Sequence, residues 1–185
     1  MLITSTYPRA TAVLNRYRRY VVQQSKSNLT KAGHKASGKL YGSVRGYVNK
    51  KFNRSALGAF TGGSTVPSLT FEYANYGEFI DEGVHGSESS YMENSKSPYK
   101  FGRGDAKSVP VGPIRKWCQS KGIDTKLAYV IARSVHKKGI KRSMFFSKPF
   151  EKRYPTMVAE YHTAVATDIQ INIARQMERA LKKSK

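Results

Sequence analysis

Acidic residues are missing from the first 71 positions of this 185-residue chain, a stretch that holds 12 Lys or Arg. Cysteine is almost missing too. Cys118 stands alone, which excludes an internal disulfide and fits a reducing compartment. No run of about 18 apolar residues occurs, so no segment is expected to span a membrane. The opening "MLITSTYPRATAVLNRYRRY" lacks the apolar core and small-residue cleavage site of a signal peptide. There is no GxxxxGK(S/T) phosphate loop and no GxGxxG dinucleotide context. A soluble protein acting in the cytoplasm is the expectation. The length suits one domain that buries roughly 70% of its unfolded surface, so stability needs neither metal nor disulfide.

What the chain does carry is positive charge, a formal +21, unevenly placed. Residues 55–95 reverse the opening pattern, with six acids (Glu72, Glu78, Asp81, Glu82, Glu88, Glu93) and no base. Residues 96–185 hold 21 bases and the other six acids. A basic–acidic–basic order predicts a polarised surface, unless folding joins the segments as internal ion pairs. So large a net charge favours contact with something negative, either nucleic acid or an acidic protein.

Periodicity predicts an α+β fold, a small antiparallel sheet packed by helices with long helices at both termini. A helix over 9–31 buries Val13, Leu14, Tyr17, Tyr20 and Val21, with Pro8 at its start and Gly33 at its end. "SGKLYGSVRGYVNKKF" begins as a helical turn and becomes a strand by Val44. "SLTFEYANYG" alternates Leu69, Phe71 and Tyr73 against Thr70, Glu72 and Ala74, giving a second strand. A short helix "YGEFIDEG" ends at Gly83. Mobile arms are expected near 53–66, which is Gly/Ser-rich, and 84–109, which has no stable period. A helix follows in "VGPIRKWCQSKGI", stopped by Gly122. The next is capped by Asp124 or Thr125, with a Leu127/Val130/Ile131/Val135 face and a basic last turn before Gly139. The terminal helix is expected from Pro155, with Val158, Tyr161, Val165, Ile169, Ile173, Met177 and Leu181 as its stripe.

Among candidate chemistries, Asp81, Glu82 and His85 in "DEGVH" are the residue types for a metal or for acid–base work. Asp81 and Glu82, however, project about 100° apart on a helix, and His85 lies beyond a glycine. A metal nuclease needs further converging carboxylates, whereas Asp105, Asp124 and Asp168 sit in loop, cap and helix contexts. A helix end with a surface-facing acidic patch explains the cluster better. His34, His136 and His162 share no ligand spacing and are expected at solvent or helix termini, while Cys118 beside Trp117 has the setting of a buried thiol. The RGD string at 103–105 is short enough to arise by chance. No catalytic residue, metal or cofactor is therefore expected. Tyrosines interleave with bases in "RYRRY" and "KLYGSVRGYVNKKF", as nucleic-acid binding would use them, yet no recognised nucleic-acid motif occurs. On composition, a nucleic-acid-binding monomer and a protein that docks on acidic protein stand equal.

The order of segments separates them. "SGKLYGSV", "YANYGEFIDEGVHG", "IRKWCQSKGI" and "IARSVHKKGIKRSMFFSKPFE" together resemble the head–tail joining, or tail-completion, proteins of tailed bacteriophages. The last segment is the most specific, similar to I-A-x-x-(I/V)-x-x-x-G-(I/T)-x-x-x-x-F-(F/L)-x-x-(A/P)-F. The likeness spans roughly residues 36–152. It implies a non-enzymatic virion protein of the neck, present in a ring of copies between portal and tail around the DNA channel. Implied partners are copies of itself, the portal or an adaptor, tail proteins and, transiently, genomic DNA. The implied location is the virion, after assembly in the host cytoplasm. Ring neighbours meet head-to-tail, so unlike patches must face each other. Glu78, Asp81, Glu82 and His85 are expected on one flank. Arg16, Arg18, Arg19, Lys137, Lys138, Lys141 and Arg142 are expected on the other. Phe145 and Phe146 are expected to anchor the core or a partner ring.

Overall fold

A computed structural model describes residues 7–33, 38–49, 66–102 and 109–183. Its elements are α1 (Pro8–Lys31), α2 (Lys39–Ser43), β1 (Arg45–Asn49), β2 (Ser68–Glu72), α3 (Gly77–Glu82), β3 (Val84–His85), α4 (Val111–Ser120), α5 (Ala128–Lys138), β4 (Gly139–Ile140) and α6 (Ser147–Lys183). Single 3-10 turns fall at Met92–Asn94 and Thr125–Leu127. The class is α+β, as expected: long helices at both ends and small two-stranded antiparallel sheets, β1 with β2 and β3 with β4. The chain divides into two compact units, each built from separated stretches.

The first unit gathers Met1–Gln23, Arg45–Phe71 and Pro149–Lys185. The predicted stripe of α1 is buried here except for Tyr20, which is half-buried, with Val13, Leu14, Tyr17 and Val21 all under a tenth exposed. Ala10, Val13 and Ala164 form a core, flanked by Tyr7, Met157, Tyr161 and Val165. Tyr17, Phe71 and Phe150 meet edge to face with ring centres about 6 Å apart. The Tyr17 hydroxyl donates to the Phe150 carbonyl at 2.8 Å, and burial raises this phenol well above its ordinary range. Gly46 is required where it stands. A Cβ there would meet the Arg18 stem at 2.8 Å and the Phe71 ring at 3.0 Å.

The second unit holds Gln24–Val44 and Glu72–Lys148. Leu29, Leu40, Val44, Val84 and Phe145 are buried in it, and Tyr73 packs on Phe145 and Phe146 at 5.8 and 5.1 Å. β3 pairs with β4 through Val84↔Ile140 and His85↔Gly139. This two-residue ladder carries no periodic signal and has no counterpart in the sequence reading. Gly139 (φ 88°) packs directly on the Val84 carbonyl, where no side chain fits.

Three expectations need correction. The terminal helix begins at Ser147, eight residues before Pro155, which lies inside it. An interior proline forfeits one helical hydrogen bond, a cost of about 3 kcal/mol in an isolated helix; capping by Asp81 and the ring stack of Phe150 on Tyr154 favour the earlier start. α5 buries Ala128, Ala132 and His136 rather than Leu127 and Val130, which are 48% and 61% exposed. The segment 84–102, expected as an arm, is tied down. His85 donates its amide to Tyr99 and accepts from Phe101, and Ser87, Glu88 and Ser89 donate to the carbonyls of His136 and Lys137. The arm expected at 53–66 lies outside the described residues except for Val66, and so do 103–108 with the RGD string and Asp105, and His34.

Candidate interaction surface

The cluster around "FIDEGVH" was expected to be surface charge, and its central member is not. Asp81 is 3% exposed. One carboxylate oxygen accepts from the Phe146 amide at 2.7 Å, and the other accepts from the Ser147 amide at 3.2 Å and from the Ser147 hydroxyl. The first amides of a helix have no partner within it, and a carboxylate also favours its positive end. Asp81 is thus the cap of α6, supplied from α3. The next link is backbone: Ser143 and Met144 donate to the carbonyls of Ile80 and Asp81, both at 3.0 Å. Met144 takes a left-handed conformation (φ 48°) to turn the chain into Phe145, which is fully buried. Phe145 belongs to the core, and Phe146 packs beside it on Tyr73.

Asn94 has a similar role and carried no sequence signal. Fully buried, its amide donates to the carbonyls of Val84 (2.9 Å) and Ile140 (2.7 Å), while its oxygen accepts from the Arg142 amide at 2.8 Å. All these capacities of one side chain are met, and together they fasten β3 to β4. His85 is a ladder residue whose ring bonds Ser90 at 3.0 Å. His136, expected at solvent or a helix terminus, lies in the last turn of α5 and is buried, with its ring nitrogens 3.1 Å from the Gly102 carbonyl and 3.2 Å from the Ser87 hydroxyl. Asp81 and His85 therefore serve separate structural bonds. Among the described residues, no three His, Cys, Asp or Glu side chains lie close enough to hold a metal.

Opposite charges do meet inside the chain. Lys137 pairs with Glu88 at 2.8 Å and Lys141 with Glu93 at 2.7 Å, so two of the six acids of 55–95 neutralise the basic segment expected on the far flank. The hydrogen bond and charge of Lys141 hold the Glu93 carboxyl below its usual range, and Lys141 rises in return. Arg16 reaches Glu160 at 3.1 Å, and Arg18 bonds the Gly46 carbonyl at 3.1 Å. Arg19, Lys138, Glu72 and Glu82 form no ion pair among the described residues. Glu78 is exposed and accepts from the Tyr99 hydroxyl at 3.0 Å, which raises that phenol. Phe79 (41% exposed) packs on Tyr99 beside it, ring centres 4.7 Å apart, and Tyr76 is 42% exposed. The exposed patch of this region is therefore Glu78 with Tyr76 and Phe79, Glu82 is half-buried beside it, and Asp81 and His85 are taken up in structural bonds.

No described helix is long and apolar enough to cross a membrane. Compared with family models, curated proteins and solved structures, the chain finds no match in any of the three.

Proposed function

We propose that this chain is a structural protein of the neck of a tailed bacteriophage, seated as a ring of copies between portal and tail. One observation supports this most. The segment with the most specific resemblance to head–tail joining proteins places its defining residues at buried, conformation-setting points. Ala132, Gly139, Phe145 and Pro149 are buried, Gly139 has φ 88°, and the Phe150 ring packs on Tyr17 and Phe71. A chance likeness on exposed helix would not favour such positions.

Ring neighbours need unlike faces. Glu78 and Glu82, with the exposed Phe79 and Tyr76 rings, form an apolar-centred acidic patch that a basic neighbouring surface would cover. Arg19, exposed on α1 and in no ion pair among the described residues, remains available for such a contact. Interfaces of this kind draw affinity from aromatic anchors and orientation from the charged rim. No chemistry is assigned to the chain, and its role is positional.

Native mass spectrometry of the chain co-expressed with the portal encoded by the same genome tests this reading. A portal complex carrying many copies of the chain is expected. A chain that stays monomeric and leaves the portal bare contradicts it.

A further inference from the structure

We infer that the paired helices α4 and α5 form a docking surface for the phosphodiester backbone of nucleic acid. This goes beyond the neck reading, since a monomer would present the surface equally. α4, the 3-10 turn at Thr125–Leu127 and α5 pack on one another, with Cys118, Ala128 and Ala132 buried.

The outside is almost wholly of one sign. Arg115, Lys116, Lys121, Lys126, Arg133 and Lys138 are all exposed, and none joins an ion pair among the described residues. Asp124 is the one carboxylate from Val111 to Lys138, and it accepts from the Lys126 amide at 2.9 Å as the cap of the turn. Lys137 differs, since Glu88 neutralises it. Unpaired like charges carried on packed helices attract counterions that a polyanion displaces on binding. Two aromatic rings stand among them, Trp117 at 37% and Tyr129 at 58% exposure. Stacking on such rings is worth about 1–3 kcal/mol per base. A folded acidic protein would instead be met by a rim of mixed sign that sets its orientation, and the helix pair has no free carboxylate to contribute one. The charge pattern and the exposed rings favour nucleic acid.

Trp117 is the chain's single tryptophan, so its emission reports on this surface directly. The intact chain is titrated with a DNA duplex of about 20 base pairs, and with a single strand of equal length, at several salt concentrations. Expected are a change in Trp117 emission and an affinity that falls steeply with salt for at least one of the two. The triple variant Lys116→Ala/Lys126→Ala/Arg133→Ala should weaken binding about tenfold or more and flatten the logarithmic salt slope by about 0.9 per charge removed on duplex. A control, Arg175→Ala/Arg179→Ala/Lys182→Ala, removes equal charge from exposed positions of α6 and should change affinity less than about threefold. Circular dichroism checks that both variants fold. Equal weakening by both triples, unchanged Trp117 emission, or equally tight binding of polyglutamate through the same residues would overturn the inference. None of these results bears on whether the chain sits in a virion neck.

Discussion

One carboxylate oxygen of Asp168, far along α6, lies 3.0 Å from the amide of Ala10 in the first turn of α1. The same oxygen accepts from the Arg9 amide at 3.0 Å, and the Arg9 guanidinium stands 3.6 Å from its partner oxygen. α1 has no acid in its own first turn, so its cap is borrowed from 158 residues away. Asp81 does the same for α6. Both aspartates are almost fully buried, and in both the negative charge faces the amides that a helix start leaves without partners.

Replacing Asp168 by alanine should therefore lower stability by about 2 kcal/mol, or roughly 4–8 °C in melting temperature. Asp168→Asn keeps an accepting oxygen and should lose about half as much. Calorimetry on the two variants decides the matter. An alanine variant that melts with the native chain would mean the cap contributes nothing.

Asp81 and Glu82 are adjacent in sequence and should behave oppositely. Asp81→Ala leaves the Phe146 and Ser147 amides without their acceptor and should cost about 3 kcal/mol in denaturant unfolding. Glu82→Ala should stay within about 0.5 kcal/mol of the native chain and instead weaken assembly on portal. Loss of stability in Glu82→Ala, with Asp81→Ala unharmed, would reverse the assignment.

Asn94→Asp tests the link between β3 and β4. It exchanges two buried donors for acceptors facing the carbonyls of Val84 and Ile140, and should cost about 3 kcal/mol or more. Hydrogen exchange should show the loss first at the amides of β3 and β4. If those amides keep their protection, the side chain is not the fastener described.

Tyr73 offers a pH signature. Burial, followed by the charges of Asp81, Glu78 and Glu82, pushes its phenol from 10.0 up to about 12. The unfolded chain gives up this proton near its ordinary value while the fold retains it. The resulting stabilisation is complete below pH 10 and disappears as pH rises toward 12. In an ultraviolet titration the native chain should show no more phenolate than Tyr73→Phe up to about pH 11, and gain its extra one only toward pH 12. One phenolate more in the native chain than in Tyr73→Phe by about pH 11 would show that Tyr73 is not held neutral.

Much of the fold was legible because helix and strand periods are local. The 3–4 stripe of α1, the alternation of β1 and β2, and the glycines after α3 and α5 each depend on neighbours in sequence. The caps were not legible. Asp81 and Asp168 have the same composition signal as any surface carboxylate, and only tertiary placement makes them acceptors. The buried face of α5 was not legible for a related reason: the small side chains of Ala128 and Ala132 allow close packing, so the face they share with His136 turns inward and leaves Leu127 and Val130 out. Of the expected docking charges, Glu78, Arg19 and Lys138 are exposed without an ion pair among the described residues, Glu82 is half-buried without one, Lys137 and Lys141 are neutralised within the chain, and Asp81 is interior.

The most direct measurement of the central claim is a reconstruction of the intact tailed particle encoded by the same genome. It should show this fold repeated around the axis between portal and tail, with the Glu82 and Phe79 patch of one copy covered by the next. A neck fully accounted for by other chains, in particles that contain none of this polypeptide, would contradict it.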